Sequence, residues 1–181
     1  MVSLEESSRL INPAELLAAK PTVAMLKEVK LLRPFNDLEL AHLLRLGASV
    51  TYEAHANIVI EGELSWGLYI ILTGIVGIFK TNKLSGDLYD VGQLKAGNFF
   101  GEMSLIDDNP RSATVRGLTD CHLFFISKES FFSFLNSSSS LKLRFYESCV
   151  HGLVGRLREL DDNYVISQYQ LWKTALKKEA A

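Results

Sequence analysis

The amino-acid sequence predicts an α+β fold: a β-roll (a double-stranded β-helix jelly roll) flanked by N-terminal helices and a long C-terminal helix. Residues up to about 49 have helical patterns, residues 50–127 form short apolar runs separated by glycine turns, and helical periodicity then returns. With 181 residues, 48% of them hydrophobic, the chain can bury one good core. We therefore expect a helical extension at 1–30, the roll at 31–135 and C-terminal helices at 136–181.

The N-terminal segment carries two signals for the start of a helix. Asn12 precedes Pro13, a residue that is favoured in the first turn of a helix. Asn36 and Glu39 have the spacing of a capping box and stand before an apolar run with helical spacing. Both signals predict helices ahead of the roll.

The middle segment has a residue pattern that is typical of antiparallel β structure. Its apolar or alternating runs are short, and Gly, Asn or Asp residues separate them, as in a roll or barrel with tight turns. The predicted strands are Ile58–Ile60, Leu68–Leu72, Ile75–Phe79, Leu88–Leu94, Ala113–Val115 and His122–Ile126.

Serine residues divide the C-terminal segment. Ser127 is predicted to cap a short helix, and the serines at 137–140 to end that helix and cap the next one. The long helix that follows carries an apolar seam with steps of three and four, which predicts a parallel homodimer. Packing on the protein's own core is the alternative interpretation. The seam consists of Leu143, Tyr146, Val150, Leu153, Leu157, Leu160 and Tyr164.

A second stripe on the long helix is predicted to cover the roll. It consists of Phe145, Cys149, Gly152 and Arg156, and Gly152 would allow a close approach despite its poor helix propensity.

Composition and charge exclude several classes of function. The net charge is -2 and the 19 Lys and Arg residues form no stripe, so we expect no direct nucleic-acid partner. The N-terminus lacks a signal peptide, and the apolar run at 67–79 is too short to span a bilayer, which predicts a cytoplasmic protein with no membrane partner. The two cysteines and four histidines have no metal spacing, so we expect buried thiols, no metal, no cofactor and no enzyme activity.

The segment at 97–115 carries the strongest functional signal. Gly101 permits a tight turn into a short helix whose first N–H groups are unpaired and favour an anion. Arg111 offers a planar fork of donors that matches two phosphate oxygens, and Ser112 adds a hydroxyl. Glu102 would repel a phosphate, so its expected task is to accept hydrogen bonds from a sugar hydroxyl. These residues predict a ligand with a ribose close to a phosphate.

The same residues resemble the phosphate-binding cassette of the cyclic-nucleotide-binding domain family. The matching pattern is Phe100-Gly-Glu102, then seven residues, then Pro110-Arg-Ser-Ala-Thr-Val115, with family-like turns around Gly62 and Gly74 upstream. The resemblance covers residues 31 to about 161 and implies a β-roll that binds a cyclic mononucleotide.

The resemblance also implies roles for individual residues. Gly101 and Glu102 would hold the ribose 2′-hydroxyl, Arg111 the exocyclic phosphate oxygens, and Ser112 the phosphate or the base. The candidate ligand-binding set further contains Met103, Ser104 and Ala113, then Val91 and Leu94 for the base pocket. Arg156, or Leu160 or Asp161 one turn later, would cap the base. Ser104 stands where the family more often has Ala or Cys, and Gly117 where Ala is common.

Several interpretations remain open at this point. The preferred one is a regulatory sensor for cyclic AMP rather than cyclic GMP, which signals through its C-terminal helix to an unidentified protein partner. A second is a ligand-free relic in which Glu102 and Arg111 pair with each other. A third is a transcription regulator that lacks its DNA-binding domain. A metal-dependent enzyme on a similar barrel would need a cluster of ligands that the sequence does not show.

Overall fold

The computed structural model describes residues 20–107 and 109–179, but not the side chains of Ser104, Arg156 and several residues near the end of the last helix. It confirms the predicted fold class. Two four-stranded antiparallel sheets face each other, with helices before and after them. The predicted helix start at Asn12 and Pro13 lies outside the described residues.

Eight strands form the roll, and all six predicted strands are among them. The first sheet has the order β1-β8-β3-β6 and the second the order β2-β7-β4-β5. Sequence reasoning missed β1, whose first two residues fell in the segment assigned to helix, and β6, which has two residues and forms by pairing with Tyr69 and Ile70. The strands are β1 Ala48–Tyr52, β2 Asn57–Val59, β3 Gly67–Thr73, β4 Ile75–Thr81, β5 Leu88–Lys95, β6 Phe99–Phe100, β7 Thr114–Gly117 and β8 Cys121–Ser127.

The helices begin and end close to the predicted signals. Asn36 and Glu39 form the expected reciprocal capping box, and Ser127 accepts a hydrogen bond from the N–H of Ser130. Ser138 accepts one from the N–H of Leu141 at the start of the last helix. The helices are α1 Val23–Glu28, α2 Asp37–Leu46, α3 Met103–Ile106, α4 Lys128–Asn136 and α5 Ser139–Glu179, with a 3-10 turn at Lys30–Leu32.

Strand β3 separates two apolar cores. Successive side chains of a strand point to opposite faces, so Leu68, Ile70 and Leu72 pack toward the helices while Tyr69 and Ile71 point into the roll. Each large apolar side chain buried in this way contributes about 1.5–3 kcal/mol to folding. The helices therefore brace one face of a sheet whose other face borders the interior of the roll.

Helix α5 packs on the protein only through its first part. Leu141, Phe145 and Cys149 are buried, and both cysteines are buried free thiols as predicted. The prediction that Gly152 lies close to the roll is wrong, because a Cβ there would meet nothing within 4 Å. The helix has already left the core at this point.

Candidate functional site

A cavity of about 270 Å³ opens at one end of the roll. This volume is close to the lower end of typical ligand pockets, about 300 Å³, so the cavity suits a single small molecule. It is lined by residues from five strands, from the turn before α3, from α3 itself and from the segment that leads into β7: Val59, Ile78, Leu94, Phe99, Phe100, Gly101, Glu102, Met103, Arg111, Ser112, Ala113 and Val115.

Gly101 makes the turn between β6 and α3 with a φ of 90°. L side chains rarely adopt this conformation. A Cβ at this position would also overlap Nη1 of Arg111 and lie 2.7 Å from the carbonyl oxygen of Gly67. Glycine is therefore required both by the backbone and by the close approach of the arginine.

Arg111 is a buried cation with incomplete hydrogen bonding. The residue is only 6% exposed, and its Nη2 donates to the carbonyl of Gly67 at 2.9 Å. The guanidinium lies 5.7 Å from the ring centroid of Tyr69, which stacks on Phe100 at 5.0 Å. Nη1 is buried and has no hydrogen-bond partner in the described part of the chain. A buried donor without a partner is costly, so this atom favours an anionic ligand.

The charge of Arg111 persists despite its burial. Desolvation lowers the pKa of the guanidinium, while Tyr69 and the carboxylate of Glu102 act in the opposite direction. Arginine is not deprotonated in proteins, so the guanidinium remains charged. Glu102 is itself 9% exposed and occupies the N-cap position of α3, beside the arginine. The cavity thus presents an acceptor and a donor of opposite charge side by side.

Most of the other predicted site residues also line the cavity. Met103 and Ser112 approach each other, with 3.8 Å between Sδ and Oγ, and Ala113 and Leu94 complete the walls. The side chains of Ser104 and Arg156 lie outside the described part of the structure. None of the described lining residues comes from α5, so the expected cap on the base stays a prediction.

Val91 is not brought to the cavity. It is 59% exposed, while Leu94 on the same strand lines the cavity. Strand alternation puts the two residues on opposite faces, and the pairing register between β4 and β5 shifts next to Val91. The prediction that Val91 lines the base pocket is therefore wrong.

Sequence reasoning missed several apolar walls of the cavity. Val59, Ile78 and Val115 lie on predicted strands, and their inward position follows from alternation once the register is known. Phe99 lies on the two-residue strand that was not predicted. Without the register, these residues could not be distinguished from the rest of the core.

The described residues hold no group of three or more His, Cys, Asp or Glu that could bind a metal ion. No helix in the described ranges is both long enough and apolar enough to cross a bilayer.

Fold and site together define a β-roll domain with a ligand cavity built around a buried arginine. Residues 49–138 match the model of the cyclic nucleotide-binding domain family. Through this domain the chain belongs to that family, and the resemblance seen in the cassette is confirmed.

One protein with a similar sequence is the regulatory subunit of a protein kinase. The chain is 32% identical over 108 residues to the cAMP-dependent protein kinase regulatory subunit of Aspergillus niger, covering 60% of this chain and 25% of the relative. The chain thus spans about a quarter of that subunit's length.

Solved structures share the fold. The Thermus thermophilus catabolite activator protein has a TM-score of 0.64 and 27% identity, covering 73% of this chain and 60% of that one. The regulatory domain of Toxoplasma gondii PKA in complex with cAMP has a TM-score of 0.61 and 25% identity, covering 70% and 48%.

Proposed function

We propose that this chain binds one 3′,5′-cyclic mononucleotide, with cyclic AMP preferred over cyclic GMP, and acts as a regulatory module without catalysis. The observation that carries the proposal is Nη1 of Arg111, a buried cationic donor that lies at the wall of a small cavity and has no hydrogen-bond partner in the ranges 20–107 and 109–179. An exocyclic phosphate oxygen would satisfy this atom. The cytoplasmic location predicted from the sequence belongs to the same proposal.

Residues near Arg111 would contact the ribose, the phosphate and the base of such a ligand. In this proposal Glu102 accepts a hydrogen bond from a ribose hydroxyl, and Ser112 donates one to the phosphate. Leu94, Ile78 and Val115 supply an apolar wall for a base. Two of the relatives above carry cAMP in their printed names, which favours adenine over guanine.

The relic interpretation fits the structure less well. A purely structural pair would leave no donor of the guanidinium unsatisfied, whereas here Nη2 donates to a backbone carbonyl and Nη1 has no hydrogen-bond partner among the described residues. A transcription regulator remains the second candidate, since a solved activator protein shares the fold.

Calorimetric titration tests the proposed ligand. We expect saturable binding of cyclic AMP at one site per chain, weaker binding of cyclic GMP, and no tight binding of cyclic dinucleotides, which are too large for a cavity of about 270 Å³. Tenfold tighter binding of cyclic GMP would reverse the ligand preference. If none of these ligands binds, the proposed function is wrong.

We also propose that ligand binding is signalled by a movement of α5 and that the chain forms a homodimer through this helix. The predicted seam residues are exposed in the single chain, with Leu157 at 60%, although they are apolar. A second copy of the helix would bury them in a parallel coiled coil. The partner that receives the signal is an unidentified protein.

Light scattering tests the dimer. We expect a dimer at tens of micromolar, and a monomer for Leu157→Asp, because the substitution buries an unpaired carboxylate in the seam. His151→Asp, on an exposed position of the same helix outside the seam, should stay dimeric. A monomeric parent protein would exclude the coiled coil.

A further inference from the structure

Glu61 connects three chain segments that surround the cavity. Its Oε1 accepts a hydrogen bond from Nζ of Lys80 at 2.6 Å, and its Oε2 accepts one from the N–H of Thr81 at 2.8 Å. Its own N–H donates to Oγ1 of Thr114 at 3.0 Å. The loop after β2, the end of β4 and the start of β7 therefore meet at this one residue, the first two through its carboxylate and the third through its backbone N–H.

Lys80 extends this connection to the cassette. Its Nζ also donates to the backbone carbonyl of Ser112, the residue next to Arg111. The same stretch is held from the other side, because Gly62 N–H donates to the carbonyl of Arg111 at 2.9 Å and Arg111 N–H to that of Glu63 at 2.8 Å. Neither Glu61 nor Lys80 is among the described lining residues of the cavity.

We infer that Glu61 and Lys80 form a clamp that positions the Arg111–Ala113 segment for the anionic part of the ligand, an inference that rests on the proposed function. The two residues are positioning residues, since they act through the backbone of the segment and not on the ligand. In a planar trans peptide the C=O and N–H point to opposite sides. Holding the Ser112 carbonyl toward Lys80 therefore turns the N–H of Ala113 away from Lys80 and fixes the backbone from which Arg111 projects.

The carboxylate of Glu61 is ionised at physiological pH. The hydrogen bonds from Lys80 and from Thr81 lower the pKa of Glu61 to about 2. Both side chains are partly exposed, 45% for Lys80 and 19% for Glu61, and such ion pairs add little to folding stability. A positioning role should therefore show in affinity and hardly in melting temperature.

The test uses Lys80→Met, which keeps the aliphatic stem and removes both donated bonds. Lys83→Met is the matched control, because Lys83 is an exposed lysine of the same hairpin. We expect Lys80→Met to weaken binding of cyclic AMP about tenfold, Glu61→Gln to weaken it less, and Lys83→Met to leave it within about twofold. Melting temperatures of the ligand-free proteins should stay within about 2 °C of the parent.

A double-mutant cycle separates positioning from general destabilisation. If Lys80 acts through the segment that carries Arg111, Lys80→Met should cost much less affinity when Arg111 is already alanine. Full additivity of the two losses, or equal binding by the Lys80→Met and Lys83→Met variants, would overturn the clamp. A parent protein that binds no cyclic nucleotide would instead refute the proposed function itself, so the two failures are distinguishable.

Discussion

Arg111→Ala is expected to weaken binding of cyclic AMP by about 30-fold to 1000-fold, which corresponds to about 2–4 kcal/mol. The guanidinium is buried, remains charged and has a donor atom, Nη1, without a hydrogen-bond partner among the described residues, which a ligand would satisfy. The melting temperature without ligand should change little, because the one hydrogen bond that the side chain donates within the described part of the chain is the bond to Gly67. Calorimetry gives the affinity, and thermal unfolding with and without ligand gives the second readout.

Two comparisons make this prediction specific. Arg116→Ala removes a partly buried arginine of β7 that donates to Asn57 and does not line the cavity, and it should bind like the parent. Glu102→Gln should weaken binding less than Arg111→Ala, since an amide oxygen still accepts one hydrogen bond from a hydroxyl. If Arg111→Ala binds as tightly as the parent, the cassette is a relic.

The features predicted correctly from the sequence depend on local interactions. The capping box at Asn36 and Glu39 and the cap at Ser127 each involve residues three positions apart, so their spacing alone determines them. The cassette is a similar case. Gly101, Glu102 and Arg111 are close in sequence, and the resemblance to a family supplied the long-range part of the argument.

The features that were missed depend on long-range pairing. Strand β6 exists only because Phe99 and Phe100 pair with β3, some 30 residues earlier. The outward position of Val91 follows from the register between β4 and β5. Gly152 was predicted to contact the roll because a glycine allows close packing. The absence of a side chain does not by itself bring another part of the protein near, and nothing lies within 4 Å of a Cβ at this position. The contact between Glu61 and Lys80 has no sequence signal, since the two residues are 19 positions apart.

The candidate site and the core share strand β3, so the packing of the helices on this strand affects the position of the site residues. Gly67, at the start of β3, accepts the hydrogen bond from Arg111, and Tyr69 lies below the guanidinium. The intervening Leu68 is fully buried against the helices. Packing on one face of β3 therefore fixes the position of the arginine on the other.

Gly101→Ala is expected to abolish most binding of cyclic AMP, because it displaces the guanidinium of Arg111 although the arginine itself is not substituted. The new Cβ would overlap Nη1 of Arg111, and the carbonyl of Gly67 lies 2.7 Å away, so the guanidinium has to move from its only described hydrogen-bond partner. The loss of affinity should approach that of Arg111→Ala. A non-glycine residue at a φ of 90° also costs about 1–3 kcal/mol of folding stability.

Gly97→Ala separates the two effects of this substitution. Gly97 has a φ of 82°, close to that of Gly101, but a Cβ there would meet nothing within 4 Å. The backbone strain is thus similar and the collision with the arginine is absent. We expect both variants to melt at lower temperature than the parent, and only Gly101→Ala to lose affinity for cyclic AMP in calorimetry. Equal affinities of the two variants would show that the position of Arg111 does not control binding.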